Sequence, residues 1–507
     1  MSKQSARKRA AKSALRAASA AAPAQTAAPA PASTRSLVAH AQYDAAGHGR
    51  RTRGWVAPST GPNRAAAGLE TIRNRARDAA RNTWTGAAHA RVWATNLIGV
   101  GIIPRAEAKT AKRKQRFIEL WDAFAAASDA DGVLDFYGQQ TLAVETVKTS
   151  GEVFIRLRPR RADDGLMVPL QIQLLESDMV PTLNTDSWPG LPIGHRIRQG
   201  IELDPIGRRS AYWCYREHPG DGYTIAVSHA DLVRIPAAEM RHMYKPARPG
   251  VLRGVPNHVS VMTKQRSVEN LDDAVVLRQE LGNLYTMFVT TEPATGAPDI
   301  DPITGEPIEY DHDGSPMVGL EPGMAHALAP GQDVKFSAPP DSGANYGEFM
   351  RQQHLGIAAG GGTPYELLTG DIRDVSDRAL RVMLNEFRRA CEQEQWQLII
   401  PQFCQPIRDA VGRAAVLAGL LTAAELPEFV RCTWAPHAWP YIHPTQDVQA
   451  KKMEVEAGFR SRAGVVAANG DDVEQVDAER AEDATRERRL KIRPGDNAIA
   501  TNGKTHA

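Results

Sequence analysis

The chain has 507 residues, and its 61 Lys+Arg nearly balance 59 Asp+Glu, leaving a net charge of +2, so it is no bulk-basic coat for nucleic acid. Mean hydropathy is −0.38, and the absence of any run of about 20 uncharged apolar residues excludes a helical membrane span. The length fits about three domains, and four cysteines without CxxC pairing (Cys214, Cys391, Cys404, Cys432) point to folding in a reducing cytosol.

From Met1 to about Ser36 the chain is Ala, Ser and Pro with Lys3, Arg7, Lys8, Arg9, Lys12, Arg16 and Arg35 and no acidic residue. Such a stretch cannot bury enough to order itself. Its composition favours a disordered basic arm over a targeting signal, either one that phosphate would attract non-specifically or a solvated arm with no partner. The periodic residues Ile72, Ala76, Ala79, Ala90, Trp93 and Leu97 then predict one helix from Leu69 to about Ile98, stopped by Gly99-Val100-Gly101. Phe117, Leu120, Trp121 and Phe124 form the stripe of a second helix, and Val133–Thr149 is a third.

Period-two alternation follows. Val153, Ile155 and Leu157 share one strand face, with Arg156 and Arg158 on the other. Similar runs at 170–174, 200–203 and 211–215, with a turn at Asp204-Pro205-Ile206-Gly207, make residues 152–250 β-rich. A long Pro-free helix is expected over Val259–Phe288, then a Pro/Gly-rich acidic stretch to about Gly343, then a helix Tyr346–Ala359 ending at Gly360-Gly361-Gly362. Ser376 or Asp377 can cap the next helix, whose Leu380, Leu384, Phe387 and Cys391 lie on one face and which Pro401 should break. Beyond 445, alternating charges suggest exposed helices, and beyond Pro494 a frayed tail. The fold class is α+β.

No catalytic motif is complete. Gly503-Lys504-Thr505 lacks the glycine a phosphate loop needs five residues earlier, where Ala498 stands, and no HExxH or GxSxG occurs. Cys432, His437 and His443 match no zinc spacing, and the aromatic and proline residues among them read as a packed loop. Asp299, Asp301, Asp311 and Asp313 could hold Mg²⁺ for a nuclease, but no Lys or His base lies near, and a solvated hairpin or protein-contact surface suits them better. No metal and no cofactor is expected.

Five stretches in order resemble the lambda family of tailed-bacteriophage portal proteins, over roughly residues 65 to 490. They are Arg91-Val92-Trp93-Ala94-Thr95-Asn96-Leu97-Ile98-Gly99-Val100-Gly101-Ile102; Trp121 to Phe136 with Asp131-Gly132; Ser150-Gly151-Glu152-Val153-Phe154; Arg248 to Pro256; and Gly362-Thr363-Pro364-Tyr365-Glu366-Leu367-Leu368-Thr369-Gly370-Asp371, leading through Ser376 and Arg378 to Glu386-Phe387-Arg388-Arg389. Where the family commonly has an Asn-Tyr-Ser-Ser-like run after Thr-Gly-Asp, Arg373-Asp374-Val375-Ser376-Asp377 stands instead.

The resemblance implies a non-enzymatic homo-oligomer, usually a dodecamer, in the virion at one capsid vertex and assembled in the bacterial host cytoplasm. It implies a channel for double-stranded DNA in packaging and ejection, with the terminase large subunit, major capsid protein and scaffold, and head-completion and tail proteins as partners, and no membrane. By element order, 1–64 is the arm and lead-in, 65–257 the wing, 258–290 a stem helix, 291–343 the clip, 344–359 a second stem helix, 360–376 the tunnel loop, 377–444 a wing helix and its followers, 445–493 the crown and 494–507 a tail. Candidate channel residues are Gly360, Gly361, Gly362, Thr363, Asp371, Arg373, Arg378, Arg381 and Arg388, with the glycines expected to let the loop flex; ordinary surface or intersubunit salt bridges are the competing use of these arginines. Candidate motor contacts are Asp299, Asp301, Glu306, Asp311 and Asp313. Competing readings are a metal-dependent nuclease and a DNA-binding scaffold protein of a phage head.

Overall fold

The computed structural model describes residues 60–64, 68–221, 232–284, 288–291, 332–335, 345–373, 375–439, 444–469 and 473–490. The arm, the acidic residues Asp299, Asp301, Glu306, Asp311 and Asp313, and also His443, Asp374 and Gly503-Lys504-Thr505, lie outside them.

The helix expected over Leu69–Ile98 is two helices, α1 (Leu69–Asn82) and α2 (Trp84–Leu97). Thr83 breaks it: its backbone is extended, and its hydroxyl accepts the Gly86 amide at 3.1 Å as an N-cap. Gly86 is required because a Cβ there would come within 2.4 Å of the Ala79 carbonyl oxygen. After β1 (Ile103–Ala106), α3 (Ala111–Ala126) and α4 (Phe136–Ser150) pack their stripes together: Phe117, Leu120, Trp121, Phe124 and Phe136 are all buried. Each such side chain contributes about 1.5–3 kcal/mol on burial. Between the two helices the Asp129 carboxylate accepts the amides of Asp131, Val133 and Leu134, shaping the turn that contains Gly132.

The β-rich region is two antiparallel sheets. β2 (Glu152–Pro159) is central between β3 (Leu170–Leu175) and β8 (Met240–Tyr244). Its expected apolar face is buried at Val153, Ile155 and Leu157. The second sheet runs β4 (Arg196–Arg198), β5 (Ile201–Leu203), β6 (Arg209–Cys214), β7 (Val233–Pro236), and its β5–β6 turn is the expected one, with the Asp204 carboxylate accepting the amides of Ile206 and Arg208.

Next comes α5 (Met262–Leu284), shorter than the expected Val259–Phe288; Phe288 belongs instead to β9 (Phe288–Thr291), which pairs antiparallel with β10 (Gln332–Lys335). Helix α6 (Tyr346–Gly361) returns antiparallel to α5, since Tyr346 donates to Asp272 at 2.6 Å while Gly360 meets Val261. A short α7 (Tyr365–Thr369) leads to α8 (Asp377–Glu394), capped by Ser376, which accepts the Ala379 amide at 3.2 Å.

Pro401 does not break the helix. The chain continues through a π-helical stretch, Gln395–Cys404, straight into α9 (Gln405–Leu417). The wider i→i+5 pattern accommodates a residue that lacks its own N–H, and Leu398, Ile399, Ile400 and Phe403 anchor the stretch in the core. The residues read as a packed loop around Cys432 include a strand, β11 (Cys432–Ala435), which follows α10 (Leu426–Val430) and pairs antiparallel with β1. Of the C-terminal helices α11 (Pro444–Glu456), α12 (Arg462–Ala468) and α13 (Val473–Leu490), α11 and α13 are charged as expected, whereas α12 is Ala, Gly and Val after Arg462, which pairs with Asp477 at 2.6 Å. Among the described residues, no helix is long and apolar enough to cross a membrane.

Candidate functional site: the root of the α5–α6 helix pair

Three stretches that are far apart in sequence meet where α5 begins and α6 ends. Ser150-Gly151-Glu152 closes α4, with Gly151 in the left-handed region at φ 89°. A Cβ on Gly151 would lie 2.5 Å from the Val255 carbonyl carbon, and one on Gly254 would lie 2.0 Å from the Gly151 oxygen. Only two glycines allow these backbones to touch.

That contact seats Glu152, which is fully buried. Its carboxylate accepts Arg253 Nε at 2.7 Å, Arg73 Nη1 at 3.2 Å and the Gly254 amide at 2.8 Å, and faces His242 Nε2 at 2.9 Å. Burial alone would raise this carboxyl, but Arg253 and His242 outweigh it and hold the group well below the usual carboxylate range. Burial in turn pushes His242 down to about 4 despite Glu152, so near neutral pH the imidazole is uncharged. Arg253 also donates to the carbonyls of Ser177, Val180 and Gln199, tying the lead-in of α5 to both sheets.

A second buried ion pair lies alongside. Lys148 Nζ is 2.6 Å from Glu394 and 3.6 Å from the centre of the Trp93 ring, and Lys245 reaches the other Glu394 oxygen at 2.8 Å. Burial opposes ionisation of Glu394, but the two lysines hold its carboxyl below the ordinary value.

The third stretch is the glycine run. Gly360 and Gly361 belong to the last turn of α6, and Gly362 caps it at φ 69°. A Cβ on Gly360 would sit 2.2 Å from Val261 Cγ1, and on Gly361 2.8 Å from His89. The glycines are there for close packing and for a left-handed cap, which corrects the expectation that they make this stretch a flexing loop. The buried Thr363 hydroxyl lies 2.8 Å from His89 Nδ1, and the Gly361 carbonyl accepts from Asn257 at 2.8 Å and Trp93 Nε1 at 3.4 Å. Burial, with help from His258 and Lys148, pushes His89 down to about 3.

The other candidate residues spread away from this seam. Asp371 accepts from Tyr365 at 3.1 Å and pairs with Arg373 at 2.8 Å, and Arg381 pairs with Asp377 one turn earlier. Arg388 lies 5.4 Å over the Trp439 ring, and Arg378 is exposed. Sequence reasoning missed Arg73, His89, Lys148, His242, Asn257, His258 and Glu394. Two of these carried a signal: Lys148 continues the stripe of Val144 and Val147, and Glu394 follows Cys391 on the buried face of α8.

Residues 48–395 match the family model described as phage portal protein, lambda family. The chain belongs to the lambda family of phage portal proteins. The match takes in all three converging stretches and ends where the π-helical stretch starts. A probable portal protein of Halomonas phage phiHAP-1 is 28% identical over 457 residues, covering 86% of this chain and 84% of that protein. Among solved structures, a chain from the neck of a native gene transfer agent particle, computed with C12 symmetry, is 13% identical over 82% of this chain and 95% of that one, at a TM-score of 0.41. One from the neck of an empty particle, computed with C6 symmetry, is 14% identical over 80% and 93%, at 0.45. These TM-scores are low, and the assignment stands on the family match.

Proposed function

We propose that copies of this portal-family chain close into a ring at one capsid vertex, through which double-stranded DNA is packaged and ejected. The family match over residues 48–395 is the observation that supports this reading. The fold is compatible with it: α5 and α6 form an antiparallel pair rooted in a rigid, ion-paired junction, as a channel-lining stem needs. About twelve helices, each about 10 Å wide, set side by side make a circumference of about 120 Å and leave a hole of roughly 28 Å, enough for a hydrated duplex. A near-neutral chain suits sliding, since strong phosphate binding would brake the duplex.

In this reading residues 65–257 and 377–444 are the wing, α5 and α6 the stem, and residues 291–343 the clip, its base the β9–β10 ladder. Residues 360–376 form the tunnel segment and 445–493 the crown. The terminase large subunit would meet the clip at Asp299, Asp301, Glu306, Asp311 and Asp313. Because Gly361 and Thr363 are buried, duplex contact would fall to Arg373, Arg378, Arg381 and Arg388. The major capsid protein with its scaffold would hold the wing, and head-completion and tail proteins would dock once DNA is inside. The protein would assemble in the host cytoplasm and take no enzymatic part. Native mass spectrometry of the purified chain tests this: a closed oligomer near twelve times 55.2 kDa is expected, and a monomer at all concentrations would refute it.

A further inference from the structure

Outside the Glu152 cluster, the most deeply buried cation among the described residues is Arg408 on α9, only 1% exposed. Its neighbours on the helix, Ile407 and Val411, are fully buried and carry it inward. Its Nε donates to the Phe429 carbonyl at 2.9 Å, and the guanidinium lies 4.5 Å from the Phe429 ring centre and 5.2 Å from that of Trp121. Nη2, however, is buried without any partner, and no carboxylate among the described residues forms an ion pair with this arginine. Burial of the charge outweighs what the ring faces and the neighbouring Asp409 carboxylate return to it. Deprotonation offers no escape for a guanidinium.

Arg408 lines a cleft of about 330 Å³ between α3, β1 and α13. Phe117, Trp121 and Val476 give it apolar walls, and Asp122 and Glu479, both exposed, stand at its rim. We propose that this cleft binds a monovalent carboxylate carrying an apolar group, with the carboxylate on Arg408 and the apolar group against Phe117, Trp121 and Val476. An uncharged ligand would add nothing to the partial compensation that Asp409 gives the guanidinium. A second negative charge, as on phosphate, would be repelled by Asp122 and Glu479.

The test is thermal unfolding of the full chain in benzoate, benzamide, phosphate and chloride at equal ionic strength. Benzoate should raise the midpoint saturably, as selective binding to the folded state requires, while benzamide and phosphate should do no more than chloride. Arg408→Met should abolish the benzoate response. Val476→Trp, which fills the cleft from α13 and leaves Arg408 in place, should abolish it too, so the test stands even if Arg408→Met folds poorly. The proposal fails if benzoate gives no shift, if benzamide or phosphate matches it, or if Val476→Trp keeps the response.

Discussion

Replacing Glu152 by Gln removes one negative charge and almost no volume from the centre of the junction. In the native protein that carboxylate compensates Arg253 and Arg73, accepts the Gly254 amide and faces His242. A glutamine oxygen can still accept from Arg253, but its amide nitrogen then meets the Gly254 N–H, donor against donor. Arg253, 1% exposed, loses its counter-charge, and Arg73, 2% exposed, keeps only Asp178 at 3.2 Å. Breaking a buried pair from one side costs about 3–5 kcal/mol, against about 0–1 kcal/mol for a surface pair. Urea unfolding followed by tryptophan fluorescence should show a large drop in midpoint with little change in slope. A loss under about 1 kcal/mol would mean that the Glu152 cluster does not hold the root of the α5–α6 pair together.

Gly360→Val places atoms inside the Val261 side chain and should cost about 1–3 kcal/mol in thermal unfolding; a neutral result would restore a loose glycine loop. Stability should fall as the pH drops below about 6.5, because the unfolded chain takes a proton that His242, held down to about 4, and His89, held down to about 3, refuse when folded. Urea midpoints from pH 8 to 5 check this, and a flat profile would count against it. Incubation with plasmid and Mg²⁺ should leave the DNA intact; cleavage abolished by Asp311→Asn would favour the nuclease reading. Arg378→Ala and Arg373→Ala should leave oligomer mass unchanged and alter only packaging yield, measured by nuclease-protected DNA in assembled heads.

Local pattern made much of this fold legible. The alternation in β2, the Asp204 turn, the stripe of α3 and the Ser376 cap each depend on residues a few positions apart, and each stands where the sequence puts it. What escaped depends on distant partners. β1 pairs with β11 more than three hundred residues away, and nothing in Ile103–Ala106 alone announces it. Pro401 reads as a stop until the core around Leu398 and Phe403 is known. The glycine run reads as slack until Val261 and His89 are seen against it. The junction itself was half legible: Glu152, Gly151 and Arg253 stand in recognisable stretches, but the residues that complete it are isolated polar side chains, some on helices and a strand and others, Asn257 and His258, in the turn before α5.

The most direct measurement is electron cryomicroscopy of the purified full-length protein. A closed ring with an axial bore of roughly 28 Å, lined by one helix of the α5–α6 pair from each copy, is the predicted result. Isolated globular particles, or rings whose bore is too narrow for a duplex, would contradict it.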